Sequence, residues 1–282
     1  MKNITVIILL SLLTNCSYEK TGTIVSSDGV EIYYQSKGKG NLTLILIPGF
    51  TLTSSMWDGE LDDISEHYRV ITLDLPGFGK SGINREVWSI NQFGDDIILL
   101  IKELELENTV LVGHSMGGLV AVAAAAQSPE NIKGLVIVDA IHDTKIISED
   151  AKELAVKWFK ASIKKGNVGA FNNIFQRPEF AERFNNMLPE EIPDFWFEKE
   201  GSIIYDILNW QNEEKTPALE SIQQPIFLIN GTDSETDVSS IKKYVKNLHV
   251  TVIPGTSHYP FWDKPDDFKK VLHENLETLI EQ

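Results

Sequence analysis

The chain has 282 residues and carries 25 Lys and Arg against 41 Asp and Glu, which gives a formal net charge of −16 with neutral histidines. This length is enough for one large domain, or one domain with an insertion, whose hydrophobic core needs no disulfides. The acidic balance disfavours a nucleic-acid partner, because phosphate binding needs clustered Lys and Arg, and no basic run is longer than a pair such as Lys164 and Lys165.

Residues 1–15 have the features of a secretory signal peptide: Lys2 precedes an apolar run from Ile4 to Leu13. The run is too short to span the roughly 30 Å of bilayer hydrocarbon. Its end resembles the lipobox of bacterial lipoproteins, and Cys16 is the only cysteine, so no disulfide partner explains it. The resemblance implies lipidation of Cys16 and a lipid anchor to the membrane of the bacterial cell envelope. A secreted or periplasmic protein is the alternative.

From residue 22 the sequence alternates between short strands and helical stretches. Gly22–Ser26 and Val30–Gln35 flank an Asp28-Gly29 pair, which is typical of a β-hairpin. Six continuous apolar runs follow, at Leu42–Ile47, Val70–Leu73, Thr109–Val112, Gly134–Val138, Ile226–Ile229 and Val250–Ile253. Runs of this kind indicate strands that are buried on both faces of a parallel sheet, joined by helical crossovers. The sequence therefore predicts an α/β fold.

The interval between the runs that end at Val138 and begin at Ile226 is too long for a single crossover. It predicts a helical lid over residues 141–218, inserted between two parts of an α/β core at 22–140 and 219–282. The stretch from 145 to 215 is rich in Phe, Trp and Tyr. These aromatic residues either pack a small core of the lid or face a substrate cleft, and both uses are compatible.

The chemical motif of the chain is a G-x-S-x-G sequence from Gly113 to Gly117, placed between a buried strand and the Ala-rich stretch Leu119–Gln127. A turn that reverses from strand to helix within about one residue strains the backbone, and only glycines let the two elements approach. Such a turn lifts the Ser115 hydroxyl out of the sheet, above a helix N-terminus that favours developing negative charge. Ser115 is therefore the predicted nucleophile.

With this turn, the chain from about residue 22 to 280 resembles the α/β-hydrolase superfamily, in particular its serine esterases and lipases with a helical lid. Leu46–Phe50 resembles the oxyanion loop of that family, and Asp74–Ser81 resembles its D-x-P-G-x-G-x-S turn. The latter is not a phosphate-binding loop, because Asp74 stands where that loop needs glycine. The resemblance implies a mostly parallel eight-stranded sheet flanked by helices.

The family places its catalytic histidine after the last strand, where this chain has His258. The resemblance gives His258 the role of accepting the Ser115 proton and returning it to the leaving group. The backbone N–H groups of Phe50 and Met116 are the expected oxyanion hole. His142 is a further candidate to face the cleft, and His114 is interpreted as a packing residue.

The acid of the triad has two candidate positions. The usual one lies in a G-x-x-D turn after the strand Ile226–Ile229, but the chain has Ser234 at that point. A second position, used in haloalkane dehalogenases, follows the preceding strand, and there the chain has Asp139. Asp139 is the preferred acid and Asp233 the alternative. An Asp at the position that corresponds to Asp139 also occurs in relatives whose acid lies elsewhere. The further candidates are Asp143, Glu235 and Asp237.

A serine at 115 in place of an aspartate argues against the chemistry of haloalkane dehalogenases and epoxide hydrolases. The predicted function is hydrolysis of a carboxylic ester, or a related acyl bond, of a small apolar substrate through an acyl-enzyme. The alternatives are an acyltransferase or thioesterase, a carbon–carbon bond hydrolase, and a non-catalytic small-molecule binder. No cofactor and no metal are predicted, because no His/Asp/Glu cluster has ligand spacing. The sequence does not indicate an oligomeric state.

Overall fold

The computed structural model describes residues 20–163, 178–197, 202–232 and 235–281. In these residues eight strands form one sheet in the order β1-β2-β4-β3-β5-β6-β7-β8. The strands are β1 Lys20–Val25, β2 Glu31–Lys37, β3 Thr43–Ile47, β4 Arg69–Leu73, β5 Thr109–His114, β6 Ile132–Val138, β7 Ile226–Asn230 and β8 Leu248–Val252. Strand β2 is antiparallel to β1 and β4, and every other pairing is parallel. The predicted α/β class, with a mostly parallel eight-stranded sheet, is confirmed.

Helices flank the sheet and also fill much of the described chain between β6 and β7. They are α1 Asp58–His67, α2 Ile90–Glu103, α3 Met116–Gln127, α4 Glu149–Ser162, α5 Pro178–Met187, α6 Ile203–Glu213, α7 Lys215–Ser221, α8 Val238–Ile241, α9 Pro260–Asp263 and α10 Pro265–Ile280. Helix α3 begins at Met116, before the predicted start at Leu119, because the turn at Ser115 leads directly into it.

The central strands and α3 form the core beneath the candidate site. Every residue of β3 and β5 is buried, and so is every residue of α3 from Met116 to Ala125. Helix α3 packs against the sheet on one side and against α2 and α7 on the other. Its many Ala and Gly residues permit this close approach, because they place little or no side-chain volume between the helix and its neighbours.

Helix α6 connects the segment between β6 and β7 to the core. The Ile90 backbone N–H, at the start of α2, donates to Asp206 Oδ2 at 2.6 Å. The Trp210 indole N–H donates to Asn91 Oδ1 at 2.9 Å. These two bonds satisfy polar groups at the N-terminus of α2 and fix α6 against it.

No helix of the described residues combines the length and the apolar character needed to cross a membrane. The predicted signal peptide, residues 1–15, and the predicted lipidation site, Cys16, lie outside the described residues. Strand β1 begins soon after them, at Lys20.

Candidate active site

The turn between β5 and α3 has the strained strand-to-helix shape that its motif predicts. Ser115 has a φ of +52° and a ψ of −121°. Its backbone N–H donates to the Val138 carbonyl of β6 at 3.0 Å, which attaches the turn to the neighbouring strand. A Cβ at Gly113 would lie 2.2 Å from the Gly117 carbonyl oxygen, and a Cβ at Gly117 would lie 2.4 Å from the Ile47 carbonyl oxygen. Only glycine fits at either position.

The Asp74 turn supports the loop that carries Phe50. The Asp74 carboxylate accepts the Ser54 N–H at 2.7 Å and the Lys80 N–H at 2.8 Å, so it links the loop after β3 to the turn after β4. Gly79 has a φ of +55°, and a Cβ there would lie 2.2 Å from Asp74 Oδ2. The D-x-P-G-x-G-x-S pattern is therefore a structural support for the loop.

His258, in the loop after β8, and Asp139, at the end of β6, meet at the carboxyl edge of the sheet. His258 Nδ1 lies 2.5 Å from Asp139 Oδ2. An ionised carboxylate can only accept, so Nδ1 carries the hydrogen and Nε2 of the neutral imidazole is left unprotonated. The Asp139 side chain is 6% exposed, while the His258 side chain is 41% exposed and open to the site. The backbone at Asp139 has a φ of +46°, a conformation that is costly for a residue other than glycine.

The Asp139 carboxylate has further contacts besides His258. Its Oδ1 accepts the Gly231 backbone N–H at 2.7 Å, and His142 Nε2 lies 3.6 Å from its Oδ2. Burial alone raises the pKa of Asp139, but the contacts with His142 and His258 outweigh it and hold the pKa of this carboxyl well below its usual range. Gly231 belongs to the turn in which the family's usual acid resides, so that turn here contributes a backbone donor to Asp139.

Of the other candidate acids, Asp143, Glu235 and Asp237 form no hydrogen bond with His258 within the part of the chain that the structure describes. Asp143 and Asp237 each accept a hydrogen bond from a backbone N–H close in sequence. Glu235 is exposed, and Asp233 lies outside the described residues. The described geometry favours Asp139.

His114 is the buried neighbour of the elbow serine, and its position under the His258 loop was not evident from the sequence. Its Nε2 lies 2.9 Å from the His258 carbonyl oxygen. A carbonyl only accepts, so Nε2–H is the donor, and Nδ1 has no hydrogen-bond partner among the described residues. Burial and the neighbouring His258 lower the pKa of His114 to about 3. His114 is therefore a neutral residue that holds the backbone of His258.

We expect the buried His114 to make the protein less stable as the pH falls. The pKa of His114 drops from about 6.5 in the unfolded chain to about 3 in the fold, so between these values the unfolded chain binds a proton that the folded chain does not. The free energy of unfolding should therefore fall by up to about 1.4 kcal/mol per pH unit below pH ~6.5. Glutamine keeps a donor for the carbonyl and cannot titrate, so His114→Gln should show a smaller slope. Denaturant unfolding between pH 4.5 and 7 measures this difference, and equal slopes would contradict it.

A cavity of about 440 Å³ contains Ser115, Asp139 and His258 among its lining residues. His142, a candidate from the sequence to face the cleft, also lines this cavity. Most of its other lining side chains are apolar: Phe50, Leu52, Met116, Leu119, Ala140, Trp158, Phe159, Ile163, Phe184 and Ile207. Within the described ranges, no group of three His, Cys, Asp or Glu could hold a metal ion.

The aromatic residues between β6 and β7 divide into some that face the cavity and others that pack against the loop of Phe50. Trp158, Phe159 and Phe184 line the cavity. Trp196 and Phe197 instead pack around the Phe50 ring, with centroid separations of 5.8 and 5.6 Å. Phe171 and Phe175 lie outside the described residues.

The two residues expected to supply the oxyanion hole, Phe50 and Met116, both line the cavity that Ser115 lines. Met116 is the first residue of α3, and the first N–H groups of a helix have no partner within it. Phe50 follows Gly49, at which a Cβ would lie 3.3 Å from the Ser115 Cβ. The loop of Phe50 therefore passes close to the serine, and the oxyanion role of the two N–H groups stays a prediction.

Comparisons with known proteins agree with this architecture. A family model of the alpha/beta hydrolase fold matches residues 43–265. The chain is 28% identical over 274 residues to the (E)-2-((N-methylformamido)methylene)succinate hydrolase of Acinetobacter baylyi, covering 91% of this chain and 98% of that protein. It is 26% identical over 227 residues to the non-heme chloroperoxidase of Streptomyces lividans, covering 76% of this chain and 82% of the other. A thermophilic esterase from Thermogutta terrifontis has a similar structure, with a TM-score of 0.75 and 23% identity, over 92% of this chain and 99% of that one. The chain belongs to the α/β-hydrolase family and is an enzyme.

Proposed function

We propose that this enzyme is a serine hydrolase that cleaves a carboxylic ester, or a related acyl bond, of a small apolar substrate. The observation that carries the proposal is the contact of 2.5 Å between His258 Nδ1 and Asp139 Oδ2, in the cavity that the strained Ser115 also lines. A histidine oriented by a carboxylate and placed near a serine on a strand-to-helix turn has the parts needed for acyl transfer.

In this mechanism Asp139 holds the Nδ1–H of His258, which leaves Nε2 free to accept the Ser115 proton. The serine oxygen then attacks the substrate carbonyl, and the backbone N–H groups of Phe50 and Met116 stabilise the oxyanion. His258 donates the proton to the leaving alcohol, and an acyl-enzyme forms. Water, activated by the same imidazole, hydrolyses the acyl-enzyme and releases the carboxylic acid.

The cavity lining supports an apolar and uncharged substrate. Trp158, Phe159 and Phe184 contribute large apolar surfaces, and the described lining contains no Lys or Arg that would bind an anion. The ionised Asp139 adds a negative charge that disfavours anionic substrates. Since α4, α5 and α6 supply part of this wall, we also propose that residues 141–218 act as the lid of the cavity. An acyltransferase, a thioesterase or a carbon–carbon bond hydrolase could use the same triad.

Fluorophosphonate labelling and a panel of 4-nitrophenyl esters test this function. We expect the fluorophosphonate to label Ser115 and the enzyme to turn over short acyl chains, with kcat/KM falling once the chain is longer than the cavity can hold. Absence of both labelling and ester turnover would contradict the proposal.

We further propose that residues 1–15 are removed and that Cys16 carries the lipid anchor in the bacterial cell envelope. Several acyl chains on one cysteine bind a bilayer stably, at about 0.8 kcal/mol per buried methylene. Wild type is expected in the membrane fraction of expressing cells and Cys16→Ala in the soluble fraction. Equal distribution of the two proteins would instead support the secreted or periplasmic alternative.

A further inference from the structure

Gln211 is a polar exception in the wall that the helices between β6 and β7 contribute to the cavity. It lies one helical turn after Ile207 on α6, and both residues line the cavity. The other lining residues on α4, α5 and α6 are all apolar: Trp158, Phe159, Phe184 and Ile207. Glutamine side chains are mostly exposed in folded proteins, so a half-buried amide in an apolar cavity wall points to a specific role.

The two asparagines that flank Gln211 on α6, Asn209 and Asn212, are both used to fix the helix. Asn209 Oδ1 accepts a hydrogen bond from Lys152 Nζ at 2.8 Å. Asn212 forms two bonds with the backbone of Ile147, at 2.7 and 2.8 Å. The half-buried Gln211 amide, in contrast, forms no hydrogen bond with another described residue, and its atoms stay accessible. The fold thus holds α6 in place from several sides and leaves this one amide available in the cavity wall.

An amide offers both a carbonyl acceptor and two N–H donors. The natural complement is a neutral group that can also donate and accept. An anion finds no Lys or Arg among the described lining residues, and a cation finds no Asp or Glu among those on α4, α5 and α6. We propose that Gln211 forms a specificity subsite that binds a neutral amide or hydroxyl group of the substrate, away from the bond that is cleaved. This inference rests on the proposed ester hydrolysis and adds a polar substituent to an otherwise apolar substrate.

Two pairs of matched esters test the subsite. One pair carries the amide on the acyl side of the scissile bond, and the other carries it on the alcohol side. On the acyl side, 4-nitrophenyl 3-acetamidopropanoate is compared with 4-nitrophenyl hexanoate. On the alcohol side, 2-acetamidoethyl acetate is compared with pentyl acetate. Within each pair the chain length is equal, and only one ester carries the amide. The measured quantity is the ratio of kcat/KM for the amide ester to kcat/KM for the alkyl ester.

We expect Gln211→Leu, which keeps the approximate size but removes the hydrogen-bonding groups, to lower this ratio about tenfold in one of the two pairs. Gln223→Leu is the matched control, because Gln223 is exposed, is not among the cavity-lining residues, and bonds only the Ser221 carbonyl and Lys246 within the described residues. It should leave both ratios unchanged. Gln211→Met serves as a second variant with the same expectation, and melting temperatures verify that each variant is folded.

Two results would overturn the inference in distinguishable ways. If Gln211→Leu and Gln211→Met leave both ratios within about twofold of wild type, the subsite is wrong, and hydrolysis of the alkyl esters still supports the proposed function. If wild type hydrolyses none of the four esters and Ser115 is not labelled, the proposed function fails and the subsite fails with it.

Discussion

Replacing Ser115 by alanine is expected to lower kcat by about 10⁴-fold or more while leaving the fold intact. The substitution removes the proposed nucleophile, and the remaining triad members cannot compensate because they act as a unit. Only the oxyanion groups and substrate binding then contribute to the residual rate. The elbow itself should persist, since the close contacts at Gly113 and Gly117 define its shape and the Ser115 side chain forms no capping hydrogen bond.

Steady-state kinetics on the best nitrophenyl ester and the melting temperature of each protein measure this effect. Ser128→Ala is the matched control, because Ser128 follows the opposite end of α3 and its hydroxyl bonds the exposed Glu130. Its kcat should equal that of wild type. A Ser115→Ala variant that kept most of its activity, and was free of wild-type protein, would show that the proposed mechanism is wrong.

The elements that could be predicted from the sequence are those that depend on local patterns. The buried strands appear as continuous apolar runs, so β3 through β8 were located to within a few residues. The elbow was evident because steric limits at Gly113 and Gly117 act over only a few positions. The hairpin of β1 and β2 followed from the Asp28-Gly29 pair in the same way.

The contacts that could not be predicted join residues far apart in the chain. Asp139 and His258 are separated by 119 positions, and no local pattern states which carboxylate reaches the imidazole. The bond from His114 to the His258 carbonyl spans 144 positions. The direction of Gln211 depends on how α6 is fixed against α2, which is also a long-range contact. Such pairings are decided by tertiary packing, so the sequence could only offer alternatives.

The choice between Asp139 and Asp233 leads to the second large expected effect. We expect Asp139→Asn to lower kcat at least about a hundredfold. The same change in a serine protease lowers kcat by roughly 10⁴-fold. An asparagine can keep its oxygen towards the Gly231 N–H, which now bonds Asp139 Oδ1. Its NH₂ group then faces His258 Nδ1, and two donors cannot pair. The imidazole must adopt the other tautomer, with Nε2 protonated and unable to accept the Ser115 proton.

Asp233→Asn is the matched comparison and should lower kcat by less than about tenfold, because a carboxylate that does not orient the imidazole contributes only through its distant charge. Circular dichroism and melting temperature accompany both variants. They are needed because Asp139 also attaches the end of β6 to the Gly231 turn, and a purely structural role would lower stability together with the rate. If Asp233→Asn is instead the inactive and well-folded variant, the acid is the one after β7. The contact between His258 and Asp139 would then be structural, and the triad would have the family's usual arrangement, displaced by one residue.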